Sequence, residues 1–246
     1  MPADQIDIAT PDGVADAYLS RPDDERHPGV LLLMDAFGLR PQIERMADRI
    51  AGHGFVVLAP NLFYRAGRTP VVDLEGLDDP DQRGRIFEQV TPLMGELTPD
   101  RVAADGDAYL QTLAGYSDGP VAITGYCMGG RIGWRIAAAH PRRVAALAGF
   151  HAGGLVTEAP DSPHLSASEL RAEVFLGHAD NDRSMTPEHI AAVESALEDA
   201  GVAYRSELFE GAAHGYTMAD TPAYDAAAAE RHFTELFALL ARTVSV

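Results

Sequence analysis

The chain of 246 residues contains no lysine, and all 19 of its basic side chains are arginines. That absence removes every chemistry that needs a side-chain amine: Schiff-base formation, pyridoxal binding and the lysine of a phosphate-binding loop. Cysteine is almost absent as well. With Cys127 alone, no disulfide can form within the chain and no second thiol can resolve a sulfenic acid, so a reducing, cytoplasmic setting is expected and a redox cycle is not. Long apolar runs are also missing. The strongest, residues 29–34, falls far below the roughly 20 residues of a membrane helix, and no secretory pattern opens the chain. Positive charge is scarce, with 37 acidic against 19 basic residues and a formal net charge of -18. The summed field repels nucleic acid and acidic lipid surfaces, so neither is an expected partner.

What is present reads as one α/β domain spanning residues 1–246, with 46% apolar and 23% charged residues in the range of ordinary soluble proteins. Residues 6–8 and 14–19 alternate apolar with polar around Pro11-Asp12-Gly13, the pattern of an opening antiparallel hairpin. Residues 29–34, 55–59, 121–124, 144–148, 173–176 and 204–209 are short runs apolar on both faces, as buried parallel strands require. Helical patterns at 41–53, 81–94, 99–114, 131–140, 187–200 and 223–243 separate most of them. Such alternation builds a mostly parallel sheet covered on both faces, with ligands beyond the carboxyl ends of its strands. Residues 61–81 and 152–171 have no clear periodicity; loops of that length in a compact domain are usually lids or binding walls. No heptad pattern argues for self-association, so a monomer is the expectation.

Directly after the run 121–124 comes Gly125-Tyr126-Cys127-Met128-Gly129-Gly130, followed by a helix. A nucleophile at the centre of a strand-to-helix turn needs small residues two positions before and after it, because the strained backbone leaves no room for side chains there. The helix that follows points its N-terminal amides at the sulfur, which favours a thiolate and a developing oxyanion. Cys127 is therefore the candidate nucleophile. In the α/β-hydrolase fold the acid follows a later strand and the histidine comes last. After residues 173–176 stands Gly177-His178-Ala179-Asp180-Asn181-Asp182, and after 204–209 stands Gly211-Ala212-Ala213-His214-Gly215. His214 is the candidate base. Asp180, at the first bend after Gly177, is the preferred acid, with Asp182 as its rival. The oxyanion amides are expected from Met128, next to the nucleophile, and from Ala36 in the loop Asp35-Ala36-Phe37-Gly38. No spaced ligand motif points to a metal.

At these residues the chain resembles the dienelactone hydrolase (carboxymethylenebutenolidase) family of the α/β-hydrolase superfamily over nearly its whole length. The likeness rests on Met34-Asp35-Ala36-Phe37-Gly38, the elbow from Gly125 to Gly130 with cysteine in place of serine, the stretch from Gly177 to Asp180, and His214-Gly215. It implies cofactor-free hydrolysis of a small enol lactone or ester through a thioester, in the degradation of aromatic compounds. It also implies that a carboxylate helps ionise the thiol, and Asp35 stands at that position, one methylene shorter than the family's glutamate. Two arginines hold the substrate's carboxylate in the family. Arg85 matches the first by its spacing from Asp81, but the second position is Met218, and methionine cannot replace a bidentate arginine. Phe37 and His151 are further candidates for contact with substrate; His151 either donates a hydrogen bond to it or caps the end of a strand. Two other readings remain open: a carboxylesterase or thioesterase with another pocket, and a non-catalytic ligand-binding or thiol-sensing domain on the same fold.

Overall fold

The computed structural model describes residues 2–77 and 79–244. Residues 1, 78, 245 and 246 of the expected domain, and the side chains of Pro80, Asp81, Gln82 and Arg83, lie outside the described part. Among the described residues eight strands form one sheet in the order β1-β2-β4-β3-β5-β6-β7-β8. Strands β1 (Ala3–Thr10) and β2 (Gly13–Ser20) are the expected hairpin, closed with Thr10 opposite Gly13, and β2 runs antiparallel to β4 (Val56–Pro60). From β4 onward every pairing is parallel: β3 (His27–Leu33), β5 (Ser117–Tyr126), β6 (Val144–Phe150), β7 (Glu173–Ala179) and β8 (Tyr204–Phe209).

The parallel strands are apolar on both faces because helices cover both. In β3 and β4, Val30, Leu31, Leu32, Leu33, Val56, Val57 and Leu58 are all buried. Helix α1 (Pro41–Ala51) starts with proline in its first turn and buries Ile43, Met46, Ala47 and Ile50 at helical spacing. Helices α2 (Pro80–Gly95), α3 (Pro99–Ala114), α4 (Met128–Ala139), α5 (Pro187–Asp199) and α6 (Ala226–Thr243) complete the layers. Close approach of α4 to the sheet depends on Gly133: a Cβ there would lie 2.9 Å from Ile123 and 3.1 Å from Leu147.

The expectation of burial on both faces fails at β8. It is an edge strand with β7 as its one neighbour, and of its residues Phe209 alone is buried while Arg205 and Leu208 are exposed. Arg205 and Glu207 on this edge pair with Glu235 and Arg231 on α6, and charges on an edge strand disfavour pairing with another chain. The long segment 152–171 holds a short 3-10 helix (Pro163–Glu169), and the segment before α2 brings Leu77 toward the carboxyl ends of the strands. Among the described residues no helix is long and apolar enough to cross a membrane.

Candidate active site

The turn between β5 and α4 sets everything else. Cys127 has φ 52° and ψ -115°, a conformation that costs a non-glycine residue energy and lifts its side chain off the sheet. Its backbone is pinned on three sides: its amide donates to Phe150 O (3.1 Å), and its carbonyl accepts from Gly130 N (3.1 Å) and Gly153 N (3.3 Å). The glycine spacing has a direct steric cause. A Cβ at Gly125 would stand 2.2 Å from Gly129 O, one at Gly129 would stand 2.3 Å from Leu33 O, and one at Gly130 would meet the Ala152 methyl at 2.5 Å. Met128 is the first residue of α4, and the Cys127 side chain, half-buried, sits at the helix N-terminus where negative charge is favoured.

His214 lies in the loop after β8, where its Nε2 is 3.0 Å from Cys127 Sγ. Its Nδ1 lies 2.6 Å from Asp182 Oδ2. The carboxylate at His214 is therefore Asp182 and not Asp180. The physical reason is where the chain bends. Strand β7 runs through Ala179, and the Asp180 amide still bonds to Ala212 O (2.8 Å), so the turn comes one residue later at Asn181, with φ 54°. Asp180 instead accepts the Gly211 amide with Oδ2 (2.9 Å), tying the acid-bearing loop to the histidine-bearing one. The Asp182 side chain is 4% exposed. Burial works against its ionised form, but His214 and the hydroxyl and amide of Ser184 outweigh that and hold its pKa below the ordinary carboxylate value. Ser184 donates to Asp182 Oδ1 through Oγ (2.7 Å) and N (2.8 Å), and its Oγ lies 3.3 Å from His214 Nδ1. Sequence reasoning had not singled it out. Burial likewise opposes charge on His214, yet Asp182 and the Cys127 sulfur raise its pKa from 6.5 to about 10.

Above the sulfur is a cavity of about 210 Å³ lined by Asp35, Ala36, Phe37, Leu77, Phe87, Cys127, His214, Gly215, Met218, Thr221, Pro222 and Ala223. Ala36 and Phe37 thus line the same cavity as Cys127 and His214. Three other expected contacts fall elsewhere. Asp35 faces the cavity, but its carboxylate is taken by Arg40 (2.6 and 3.0 Å) and by the Phe37 amide (3.0 Å); the group that reaches the thiol is His214. Arg85 is exposed and lines a separate polar cleft with Asp73, Glu75 and Gln89, because it leaves α2 on a different side from Phe87, the helix residue that reaches the cavity. His151, at φ 38°, is buried behind His214. It stacks edge-on against that ring with centroids 5.2 Å apart, its Nε2 is 2.8 Å from Thr217 Oγ1, and burial holds it neutral. Among the described residues no cationic side chain other than His214 lines the cavity, and no group of three or more His, Cys, Asp or Glu is arranged to hold a metal ion.

The family model of the dienelactone hydrolase family matches residues 15–244. A curated protein of Yersinia pestis, provisionally named a carboxymethylenebutenolidase, is 31% identical over 223 residues, 87% of this chain and 78% of that protein. Its counterpart in Escherichia coli K12, with the same provisional name, is 29% identical over 87% of this chain and 77% of its own. A provisionally named dienelactone hydrolase from Klebsiella pneumoniae, solved by crystallography, shares the fold with a TM-score of 0.84 at 24% identity, covering 98% of both chains.

Proposed function

Since the chain belongs to the dienelactone hydrolase family and is a hydrolase of that kind, we propose that it cleaves small, uncharged esters or lactones through an acyl-thioester on Cys127, with His214 as base and Asp182 as the acid that orients it. The observation that carries this reading is the unbroken line from Asp182 Oδ2 to His214 Nδ1 (2.6 Å) and from His214 Nε2 to Cys127 Sγ (3.0 Å), ending at the floor of a cavity.

Each proton has a place. Sγ attacks the carbonyl carbon as its proton resides on His214 Nε2, and the imidazolium so formed is stabilised by Asp182. The carbonyl oxygen becomes an oxyanion served by the amides of Met128 and Ala36. Collapse breaks the bond to the leaving oxygen, which takes the proton from Nε2; in a lactone that oxygen stays tethered to the acyl group. Water then gives a proton to Nε2, attacks the thioester, and releases the carboxylic acid and the thiol. The sequence consumes only water and needs no cofactor. Cysteine as nucleophile suits a reducing compartment, so we assign the protein to the cytoplasm, acting as a monomer.

The cavity lining supports the choice of substrate. Phe37, Leu77, Phe87, Met218, Pro222 and Ala223 surround the thiol, Arg85 lies outside, and a second carboxylate on the substrate would meet no cation among the described residues. This favours neutral esters and lactones over the acid-bearing dienelactone of the family name. The intact line of three groups weighs against a non-catalytic domain. The deciding experiment is hydrolysis of a neutral aryl ester by wild type and Cys127→Ala, with mass spectrometry of the quenched enzyme. Turnover lost in the variant, with an acyl adduct on Cys127 in the wild type, supports the reading; turnover retained by Cys127→Ala sinks it.

A further inference from the structure

Arg40 stands at the N-terminus of α1, where a long charged side chain ordinarily turns to solvent. Here it turns inward and is 6% exposed. A guanidinium has five N–H donors, and the structure gives each one an acceptor. Nη1 and Nη2 donate to Asp35 Oδ1 (2.6 Å) and Oδ2 (3.0 Å), Nε and Nη2 donate to Asp220 Oδ2 (2.6 Å) and Oδ1 (3.1 Å), and Nη1 also donates to Gly38 O (3.1 Å). Burial disfavours its charge, but Asp35 and Asp220 more than offset this and keep the guanidinium ionised.

The two carboxylates come from two different segments that contribute residues to the cavity lining. Asp35 precedes Ala36, and its Oδ1 also accepts the Phe37 amide, so the carboxylate brackets the Ala36 peptide from both sides. Asp220 lies 180 positions from Arg40, on the loop that leaves His214 and carries Met218 and Thr221 into the cavity. That loop also makes short turns within itself, such as Met218 N to Gly215 O and Thr221 N to Met218 O, and Thr217 ties it to His151 Nε2 (2.8 Å) and Gln42 Nε2 (3.4 Å), while the Arg40–Asp220 contact is its ionic tie to the Asp35 segment.

We propose that Arg40 is a positioning residue for hydrolysis: by bridging Asp35 and Asp220 it fixes the Ala36 amide relative to His214 and Cys127, so that the oxyanion site and the base address the same carbonyl. The proposal rests on the hydrolase reading above. An error of about 1 Å between groups that must act together can cost about 100-fold in rate, and removing an oxyanion donor costs about as much or more.

The test separates the oxyanion wall from the nucleophile. Asp220 is partly exposed, so Asp220→Ala cuts the bridge while leaving the buried Arg40–Asp35 pair intact; Arg40→Lys, which keeps the charge but cannot span both carboxylates, is the second variant. Three quantities are measured for each: the thermal midpoint, kcat and KM on a neutral aryl ester, and the rate of Cys127 alkylation by iodoacetamide across pH. The expected result is a fall in kcat of about 10- to 100-fold with KM little changed. Alkylation and its pH profile should match wild type, because the Asp182–His214–Cys127 line does not touch the bridge, and Asp220→Glu should recover part of kcat. Unchanged kcat in a folded Asp220→Ala, or alkylation that falls in step with kcat, overturns the proposal. A wild type that alkylates but hydrolyses no ester or lactone would instead bring down the functional reading itself.

Discussion

Asp182 and Asp180 stand two residues apart on one loop and do opposite work: Asp182 Oδ2 meets His214 Nδ1 at 2.6 Å, while Asp180 Oδ2 meets the Gly211 amide at 2.9 Å. Asp182→Asn is isosteric but removes the charge that holds His214 in its working tautomer, and should lower kcat by about 10³- to 10⁴-fold. Asp180→Asn keeps an acceptor for Gly211 and should cost less than about tenfold. Steady-state ester hydrolysis by the two variants decides, and a larger loss in Asp180→Asn would reverse the assignment.

The same pairing sets a pH dependence of stability. The folded pKa of His214 is raised from 6.5 to about 10, so the stabilisation it gains is complete below the unfolded value and is lost as pH rises toward the folded one. The difference in thermal midpoint between wild type and His214→Gln should therefore narrow steadily from pH 6.5 to about 10. A difference that widens over that window would contradict the pairing.

Ser184 offers a finer probe. Ser184→Ala removes the hydroxyl bond to Asp182 Oδ1 but keeps the amide bond to the same oxygen. One hydrogen bond to a carboxylate contributes about 1.5 to 3 kcal/mol, and part of that holds Asp182 in line with His214. The expected outcome is a loss in kcat of about 3- to 30-fold, smaller than that of Asp182→Asn, with KM unchanged.

The glycines of the elbow should be far less tolerant than others. Gly129→Ala would force a Cβ to within 2.3 Å of Leu33 O, a clash with backbone that cannot yield cheaply, and should cost more than about 4 kcal/mol or abolish folding. Gly84, exposed on α2 where an added methyl would meet nothing within 4 Å, is the control: Gly84→Ala should stabilise by about 1 kcal/mol. Urea denaturation of both variants reads the contrast.

An apolar cavity makes a prediction about chain length. Each methylene buried contributes about 0.8 kcal/mol, so kcat/KM for neutral aryl esters should climb about fourfold per added acyl carbon until the cavity is full. An ester carrying a second carboxylate should be a poorer substrate than its neutral analogue of equal size. The reverse preference would show that a cation reaches the substrate after all.

How far the sequence revealed this follows from how local each signal is. The elbow was legible because the sterics that demand Gly125 and Gly129 act between residues four positions apart or on the adjacent strand β3. Strands β3 to β8 were legible as short apolar runs, but the exposure of β8 was not, since its edge position depends on what lies beyond it. The carboxylate that meets His214 lies two residues beyond the one the sequence favoured. The cue lay in Asn181, a residue type that tolerates the left-handed conformation and so marks the bend one step later than Gly177 suggests. Arg40 was invisible, because its partner Asp220 is 180 residues away and neither position carries a motif. Arg85 was misjudged because spacing along a helix does not say which face will meet the cavity, and α2 offers Phe87 instead.

The positive φ of Cys127, braced by three backbone hydrogen bonds, means that the place of its Sγ is written in the main chain and its chemical character in the side chain. The two are separable, like a socket and the bulb it holds. A serine placed there would stand at the same point above the sheet with the same helix beneath it, yet would hold its proton far more tightly than a thiol does. Exchanging the residue at 127 therefore alters the chemistry on offer without redrawing the site, which makes the position a natural place for engineering a different reactivity onto an unchanged frame.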